Sequence, residues 1–333
     1  MNGAGRREFL ATTLTLGVAS LLGSSGKVAA EPPPEVRKLR LPHTAAICLA
    51  PQYVAEELLR IEGFDQVEYV DVPYTGGSGL TAGRADVSMD YAPALVWALD
   101  AGDDIVALAA VHSGCYQLVA NGRIRAIREL KGNKVAISAL GAGDHIFLAS
   151  MVAYVGMDPK ADIDWVAAGS ITETMRYFEA RKADAFLAFP PQPQILREKK
   201  LGHVLVDGTH DRPWSQYACC LIAANRQFVA QYPVATKRAM RALLKATDLC
   251  AREPEQAAHI VVRKGFERRH DVVLEALKEI PYGAWRDANP EAALRFHALR
   301  LHEVAMIKSN PNKLIARGTD WRFLKELKQE LKA

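Results

Sequence analysis

From residue 38 onward, the spacing of apolar residues along the chain switches repeatedly between the two-residue rhythm of a strand and the longer rhythm of a helix. Residues 38–41, 66–72, 85–89 and 105–111 read as strands; the second alternates, and the last is apolar throughout, which suits a strand covered on both faces. Between them, residues 52–61 carry Val54, Leu58, Leu59 and Ile61 at helical spacing, with Glu56, Glu57 and Arg60 turned outward. Residues 92–101 form a second helical run. Strands separated by helices predict an α/β protein with parallel-type sheets flanked by helices.

The rhythm then restarts. Strands at 134–138, 163–166, 183–189 and 203–207 alternate with helices at 144–155, 172–180 and 191–200. Ala82-Gly83-Arg84-Ala85-Asp86-Val87 in the first series rhymes with Ala180-Arg181-Lys182-Ala183-Asp184-Ala185 in the second. Each segment follows a helix and opens a strand, and the strands run out near Pro93 and Pro190. The matching context predicts two similar α/β lobes. After a last strand at 217–224 the chain turns helical, with runs at 233–252, 255–264, 271–280, 291–306 and 321–331. Pro233 and Pro254 stand near helix starts, where the missing N–H costs nothing. Asp320 with Thr319 supplies a cap, and Trp321, Leu324, Leu327 and Leu331 form a face that docks on the body.

Composition narrows the class without naming it. The 333 residues are 49% hydrophobic and 24% charged, and 42 basic against 38 acidic side chains leave +4. Such a balance provides no broad basic field, so no nucleic-acid partner is expected. A mean hydropathy of −0.05 excludes a multi-span membrane protein. Five cysteines are too few for a disulfide scaffold and read as buried thiols.

Residues 1–30 read as an address. Arg6 and Arg7 precede Phe9 and Leu10, an uncharged run follows from 11 to 25, and Ala29-Ala30 offers a cleavage site. This is similar to the twin-arginine export signal, although Gly5 and Ala11 stand where polar and basic residues are common. The run is too short and polar to span a bilayer. Cleavage after Ala30, with no cysteine near the cut, predicts a soluble periplasmic protein without a lipid anchor. Arg6, Arg7, Lys27 and Glu8 leave with the signal, which brings the remainder closer to neutral.

Several phrases read together in order. Ala50-Pro51-Gln52-Tyr53-Val54-Ala55 follows the first strand, Gly76-Gly77-Ser78-Gly79 the second, and Gly83-Arg84-Ala85-Asp86-Val87 opens the third. Leu130-Lys131-Gly132-Asn133-Lys134-Val135-Ala136 opens the second series, and Gly156-Met157-Asp158-Pro159 comes later in it. This series resembles the ABC-transporter solute-binding proteins of the nitrate/sulfonate/taurine and thiamine-precursor type, over residues 39–230 and more loosely in the helical tail. The resemblance implies a two-lobed periplasmic binding protein type II fold with a ligand cleft between lobes and a helical C-terminal part. It implies crossovers near 113–116 and 211–217, so that lobe one holds 36–114 plus 215–333 and lobe two 115–214. It also implies a monomer that closes on a small-molecule solute and docks on an ABC permease in the inner membrane, with no cofactor.

Such a cleft would be built from loops after strand carboxyl ends and from helix starts. Gly141, Gly143, Asp144 and His145 lie between a strand and a helix, where glycine lets backbone N–H groups approach an anion. An ordinary strand-to-helix loop with Asp144 as a cap explains the same residues. His43, Thr44, Ile47 and Cys48 follow the first strand in the matching place. Asp90 and Tyr91 end the third strand, where Asp90 either caps a helix or binds a ligand group, and Phe189 and Gln192 are their counterparts. Tyr91 and Phe189 are candidates to sandwich an apolar part of the solute. Ser113 falls at the first crossover and Trp214 at the second.

No motif demands catalysis. The nine histidines show no H-E-x-x-H spacing, and neither a G-x-S-x-G elbow nor a P-loop occurs, so no metal is expected. His297 and His302 read as lying on a solvent-leaning helix. Cys219 and Cys220, adjacent on a strand, should point to opposite faces as core thiols. The thiamine-pyrimidine synthases related to the resembled family carry a C-C-C-F-C segment, which Ala218-Cys219-Cys220-Leu221 does not match. The alternatives to an importer component are a cofactor-biosynthesis enzyme on the same fold and a ligand-sensing receptor subunit. No lysine or arginine lies in residues 42–51, 90–93, 138–146 or 189–192, which favours a small organic acid with an apolar part over a bare inorganic anion.

Overall fold

Ten strands pair into three open sheets in the computed structural model, which describes residues 31–44, 46–72 and 78–332. Residues 1–30, whose sequence reads as an export signal, and the glycines Gly76 and Gly77 lie outside the described residues. Pro33–Ala333 forms one compact unit. Strands β1 (Lys38–His43) and β2 (Gln66–Asp71) run parallel as a pair. Strands β3 (Val87–Tyr91), β4 (Ile105–Ser113) and, at the far end of the chain, β10 (Ala218–Asn225) form a sheet of order β3-β10-β4.

The remaining strands build a five-stranded sheet. They are β5 (Gln117–Ala120), β6 (Lys134–Ile137), β7 (Asp164–Ala167), β8 (Ala185–Ala188) and β9 (His203–Asp207), in the order β7-β6-β8-β5-β9. The chain therefore enters this sheet between Ser113 and Gln117 and leaves it between Asp207 and Ala218. The two passages touch: Cys115 N–H donates to Thr209 Oγ1 at 3.3 Å, and Gly208 N–H to Tyr116 O at 2.9 Å. Gly114 is required in this crossing. Its φ is +67°, and a Cβ there would sit 2.6 Å from Thr209 Cα.

The two larger sheets are not uniformly parallel. β5 runs antiparallel to β8 and β9, and β10 antiparallel to β3 and β4. These are the strands that begin at the two passages, so their direction is set by the return of the chain rather than by a helical crossover. Strand β5 is four residues long and carries no pattern that periodicity detects. The predicted helix over 52–61 is broken at Ala55 into Ala50–Val54 and Glu56–Ile61.

The helices follow their caps and faces. Ala92–Ala101 ends on Gly102 at φ +91°, a left-handed cap. Ser170, Asn225, Asn289 and Asn310 each accept a backbone N–H at a helix start. Asp320 accepts the N–H of Arg322, and the last helix, Arg322–Glu330, buries Phe323, Leu324 and Leu327. Helix Gly143–Tyr154 is buried at every residue except Tyr154, because helices cover more than one of its sides. One of these is Pro290–Glu303, on which His297 is buried rather than solvent-leaning. No helix among the described residues is long and apolar enough to cross a membrane.

Candidate functional site

Every candidate loop leaves the carboxyl end of a strand, and two of these ends meet. The backbone N–H of Ile47, after β1, donates to Pro190 O, after β8, at 3.0 Å. Beside this bond Tyr91, at the end of β3, stacks on Phe189 with ring centroids 4.4 Å apart and planes 12° from parallel. Both rings are fully buried. A third ring between them would need a gap of about 7 Å, twice a carbon contact distance. They lie against each other, so a solute ring enters only if they part.

Around this pair the interior is aromatic. Phe147 meets Tyr91 edge-on at 6.1 Å and Tyr116 at 4.3 Å. Cys48 Sγ lies 3.7 Å from Tyr91 Oη. Tyr282 Oη is 3.0 Å from Ile47 O and 3.2 Å from Cys48 O, fixing the loop from the helical C-terminal part. Gln52 is fully buried and ties β1 to β3: its Nε2 donates to Pro42 O and its Oε1 accepts Met89 N–H at 3.2 Å. Burial pushes the phenols of Tyr116 and Tyr282 well above their ordinary value, so both stay neutral.

The other candidates take separate places. His43 is exposed and binds Asp71 through Nδ1 at 2.9 Å, with its ring against Phe266. Thr44 is held by the Tyr53 hydroxyl. Asp90 accepts the Ser88 hydroxyl at 2.9 Å. The Asp144 carboxylate turns back to the end of β6 and accepts the Ser138 N–H and hydroxyl, each at 2.6 Å. Burial raises its pKa against the lowering effect of those bonds. Gly141, at φ +81°, donates its N–H to His145 Nδ1 at 3.0 Å, which leaves the His145 proton on Nε2. Burial pushes His145 down to about 4, and its ring stands edge-on to Trp165. Gly143 begins the helix.

Gln192 is satisfied within its own neighbourhood, accepting Phe189 N–H and donating to Ile171 O. Ser113 closes β4 opposite Ala218. Trp214 packs edge-on against Tyr154 and Phe296. Of the predicted set, Ile47, Cys48, Tyr91 and Phe189 thus come together. Tyr116, Phe147, Gln52 and Tyr282 join them, and the sequence singled out none of the four for the cleft.

A cavity of about 490 Å³ opens beside the two passages, lined by Cys115, Tyr116, Pro190, Gln194, Arg197 and Thr209 among others. Gln194 Oε1 is buried without a hydrogen-bond partner. A second cavity of about 530 Å³, lined by Asn121, Arg123 and Asp184, sits at the opposite ends of β5 and β8, away from the aromatic interior. The carboxyl end of β8 belongs to the first cavity, which is where open α/β sheets take ligands.

The cysteines depart from expectation in one respect. All five are buried thiols, as read from the sequence. Cys219 and Cys220, however, do not point to opposite faces: their sulfurs are 3.9 Å apart. The pairing of β10 with β4 shifts register on both sides of Cys220, and this bulge removes the alternation. Cys115 Sγ lies 3.1 Å from Cys219 Sγ. Burial raises Cys115; at Cys219 burial also opposes the charged form, but hydrogen bonds from Cys115 and Cys220 pull it the other way.

Two meeting sheet systems, with the chain crossing between them twice and candidate loops on strand carboxyl ends, define the periplasmic-binding-protein fold. Similar solved structures share it. The periplasmic nitrate-binding protein NrtA from Synechocystis PCC 6803 superposes with a TM-score of 0.77 at 15% identity, over 90% of each chain. The alkanesulfonate-binding protein SsuA from Xanthomonas axonopodis pv. citri, bound to MOPS, gives 0.71 at 17% identity, over 88% of this chain and 100% of that one. The aliphatic sulphonate-binding protein SsuA from Escherichia coli gives 0.65 at 18%, over 85% and 92%. Among curated proteins no sequence match was found. The family model described as NMT1/THI5 like matches residues 67–257, more than half of the chain, and the chain belongs to that family.

Proposed function

We propose that this chain is the solute-binding component of an ABC importer, working in the periplasm and handing a small organic anion with an apolar part to a membrane permease. In this reading residues 36–114 with 215–333 form one lobe, residues 115–214 form the other, and the passages at Gly114–Cys115 and near Trp214 are the hinge. The observation that carries it is the meeting of Ile47 with Pro190 beside the Tyr91–Phe189 stack. Loops from two sheets close on each other there through aromatic surfaces, the usual lining of a small-molecule site. The likeness to nitrate- and sulfonate-binding proteins supports the importer assignment. Export through residues 1–30 and a monomeric state belong to the same proposal.

The test is mass spectrometry of small molecules that co-purify, followed by thermal shift and tryptophan fluorescence with each. A solute at a hundred times its Kd should stabilise the fold by about 2.7 kcal/mol and raise Tm. Tyr91→Ala should weaken binding at least tenfold. Turnover of the bound molecule would instead establish the enzymatic alternative, and a panel of organic acids and sulfonates that leaves Tm unchanged would remove the importer reading.

A further inference from the structure

We propose that His112, Cys115, Cys219 and Cys220 bind one zinc(II) ion where the two chain passages cross. One ligand atom from each residue lies within 4.8 Å of every other, and all four residues are buried. Three thiolates and an imidazole are a recurrent structural zinc set, whereas hard cations such as calcium and magnesium select oxygen. Zinc–sulfur bonds of about 2.3 Å set the sulfurs of a tetrahedral site about 3.8 Å apart. Cys219 and Cys220 already stand at 3.9 Å. Cys115 and Cys219, at 3.1 Å, need only a small side-chain rotation to open to that edge.

The surroundings suit an ion. His112 Nε2 is 3.1 Å from Cys48 O, and Nδ1 is 3.3 Å from Ser113 O. A neutral imidazole carries one N–H. With a carbonyl beside each ring nitrogen, one can keep that N–H while the other turns its lone pair to the ion. A metal-bound histidine is usually held in this way, its second nitrogen donating to a carbonyl. Cys48, a fourth buried thiol, is in hydrogen-bond contact with Cys115 and Cys220 and can donate its S–H to the Cys220 sulfur. Cys115 adopts φ +84°, a conformation a cysteine holds only when its surroundings impose it. The residue also lines the 490 Å³ cavity, so the cluster lies next to that opening. Zinc binding would release three thiol protons to solvent and leave a site of charge −1. Cys115 belongs to the outgoing passage and Cys219 and Cys220 to the returning strand, so the ion would clamp the crossing.

The full chain, purified and reduced without oxygen, is titrated with cobalt(II) as the spectroscopic probe and then with zinc(II). The expected result is one equivalent of cobalt with sulfur-to-cobalt charge transfer and the intense bands of a tetrahedral site, displaced by one equivalent of zinc. Cys219→Ser should weaken binding at least a hundredfold, and Cys250→Ser, outside the cluster, should leave it unchanged. The charge-transfer bands of the unaltered chain decide the matter even if Cys219→Ser does not fold. Cobalt bound without them would point to the other ligand cluster, exposed Glu255 and His259 with half-buried His270, and would overturn the proposal. A Cys115–Cys219 disulfide that forms when the zinc-loaded chain is afterwards exposed to air, the oxygen taking the two electrons, would overturn it as well.

Discussion

Acid should weaken this protein through one histidine in particular. His297 is 2% exposed, its ring lies 5.2 Å from that of Phe147, and its Nδ1 is 3.0 Å from Ser150 Oγ. The Ser150 hydroxyl donates to Phe147 O at 2.7 Å, so its oxygen accepts from His297 Nδ1–H. The neutral imidazole is satisfied, and a second proton would be buried among aromatic rings. Burial alone pushes the group down from 6.5 to about 3. The sign follows from linkage. The unfolded chain takes up the proton first, so stability is complete above pH 6.5 and is lost as the pH falls toward 3. At about 1.4 kcal/mol per unit, this one group removes ~2 kcal/mol by pH 5 and ~3 kcal/mol by pH 4. Urea unfolding at pH 7 and pH 5 measures it, comparing wild type with His297→Gln, whose amide can still donate to Ser150. The wild type should lose ~2 kcal/mol more than the variant over that interval. Equal losses in the two proteins would refute the assignment and move the acid sensitivity to other groups.

Glu62 is buried against three cations, with Arg241 Nη1 at 2.7 Å, Lys245 Nζ at 3.4 Å and Arg238 Nη1 at 3.7 Å. Glu62→Ala should cost about 2–3 kcal/mol in urea unfolding by removing the buried carboxylate those cations share, with Glu330 still beside Arg241, and a loss below about 0.5 kcal/mol would show that solvent screens the group. Gly114→Ala meets both the left-handed φ and Thr209 Cα, so it should destabilise by about 1–3 kcal/mol, while Gly122→Ala, with open space around it, should stay within about 0.5 kcal/mol. Asp144→Ala leaves the buried Ser138 N–H and hydroxyl without their acceptor and should cost about 2–3 kcal/mol. If that variant keeps its Tm but loses solute affinity, Asp144 is a ligand contact after all.

The fold was legible where local rules and burial agree. Helix Pro233–Arg252 and strand His203–Asp207 coincide with the predicted ranges because each is bounded by a clear signal, proline at the helix start and glycine before the strand. The type II binding-protein architecture followed from phrase order, and the fold agrees. Strand β5 was missed because Gln117–Ala120 holds its place only through its partners β8 and β9. His297 was misjudged because Pro290–Glu303 packs on more than one side, so helical spacing alone did not give its buried face. The candidate site was legible only at its strand ends. Tyr91 and Phe189 stand beside loop signals that any reader of strand ends would mark. The thiol cluster joins residues about a hundred positions apart and depends on a bulge, which no local pattern announces.

If the proposed function holds, the bond from Ile47 N–H to Pro190 O bears on how the protein could change its solute. It is made by main chain on both sides, so most side-chain replacements in these loops leave the donor and acceptor in place. A net contribution of about 0.5–1.5 kcal/mol toward the shut state would then be common to every variant, whatever it carries. Exchanging the rings beneath it would leave that main-chain bond in place. Selectivity would drift through Tyr91 and Phe189 while the latch, and with it the outline offered to a transporter, stayed constant.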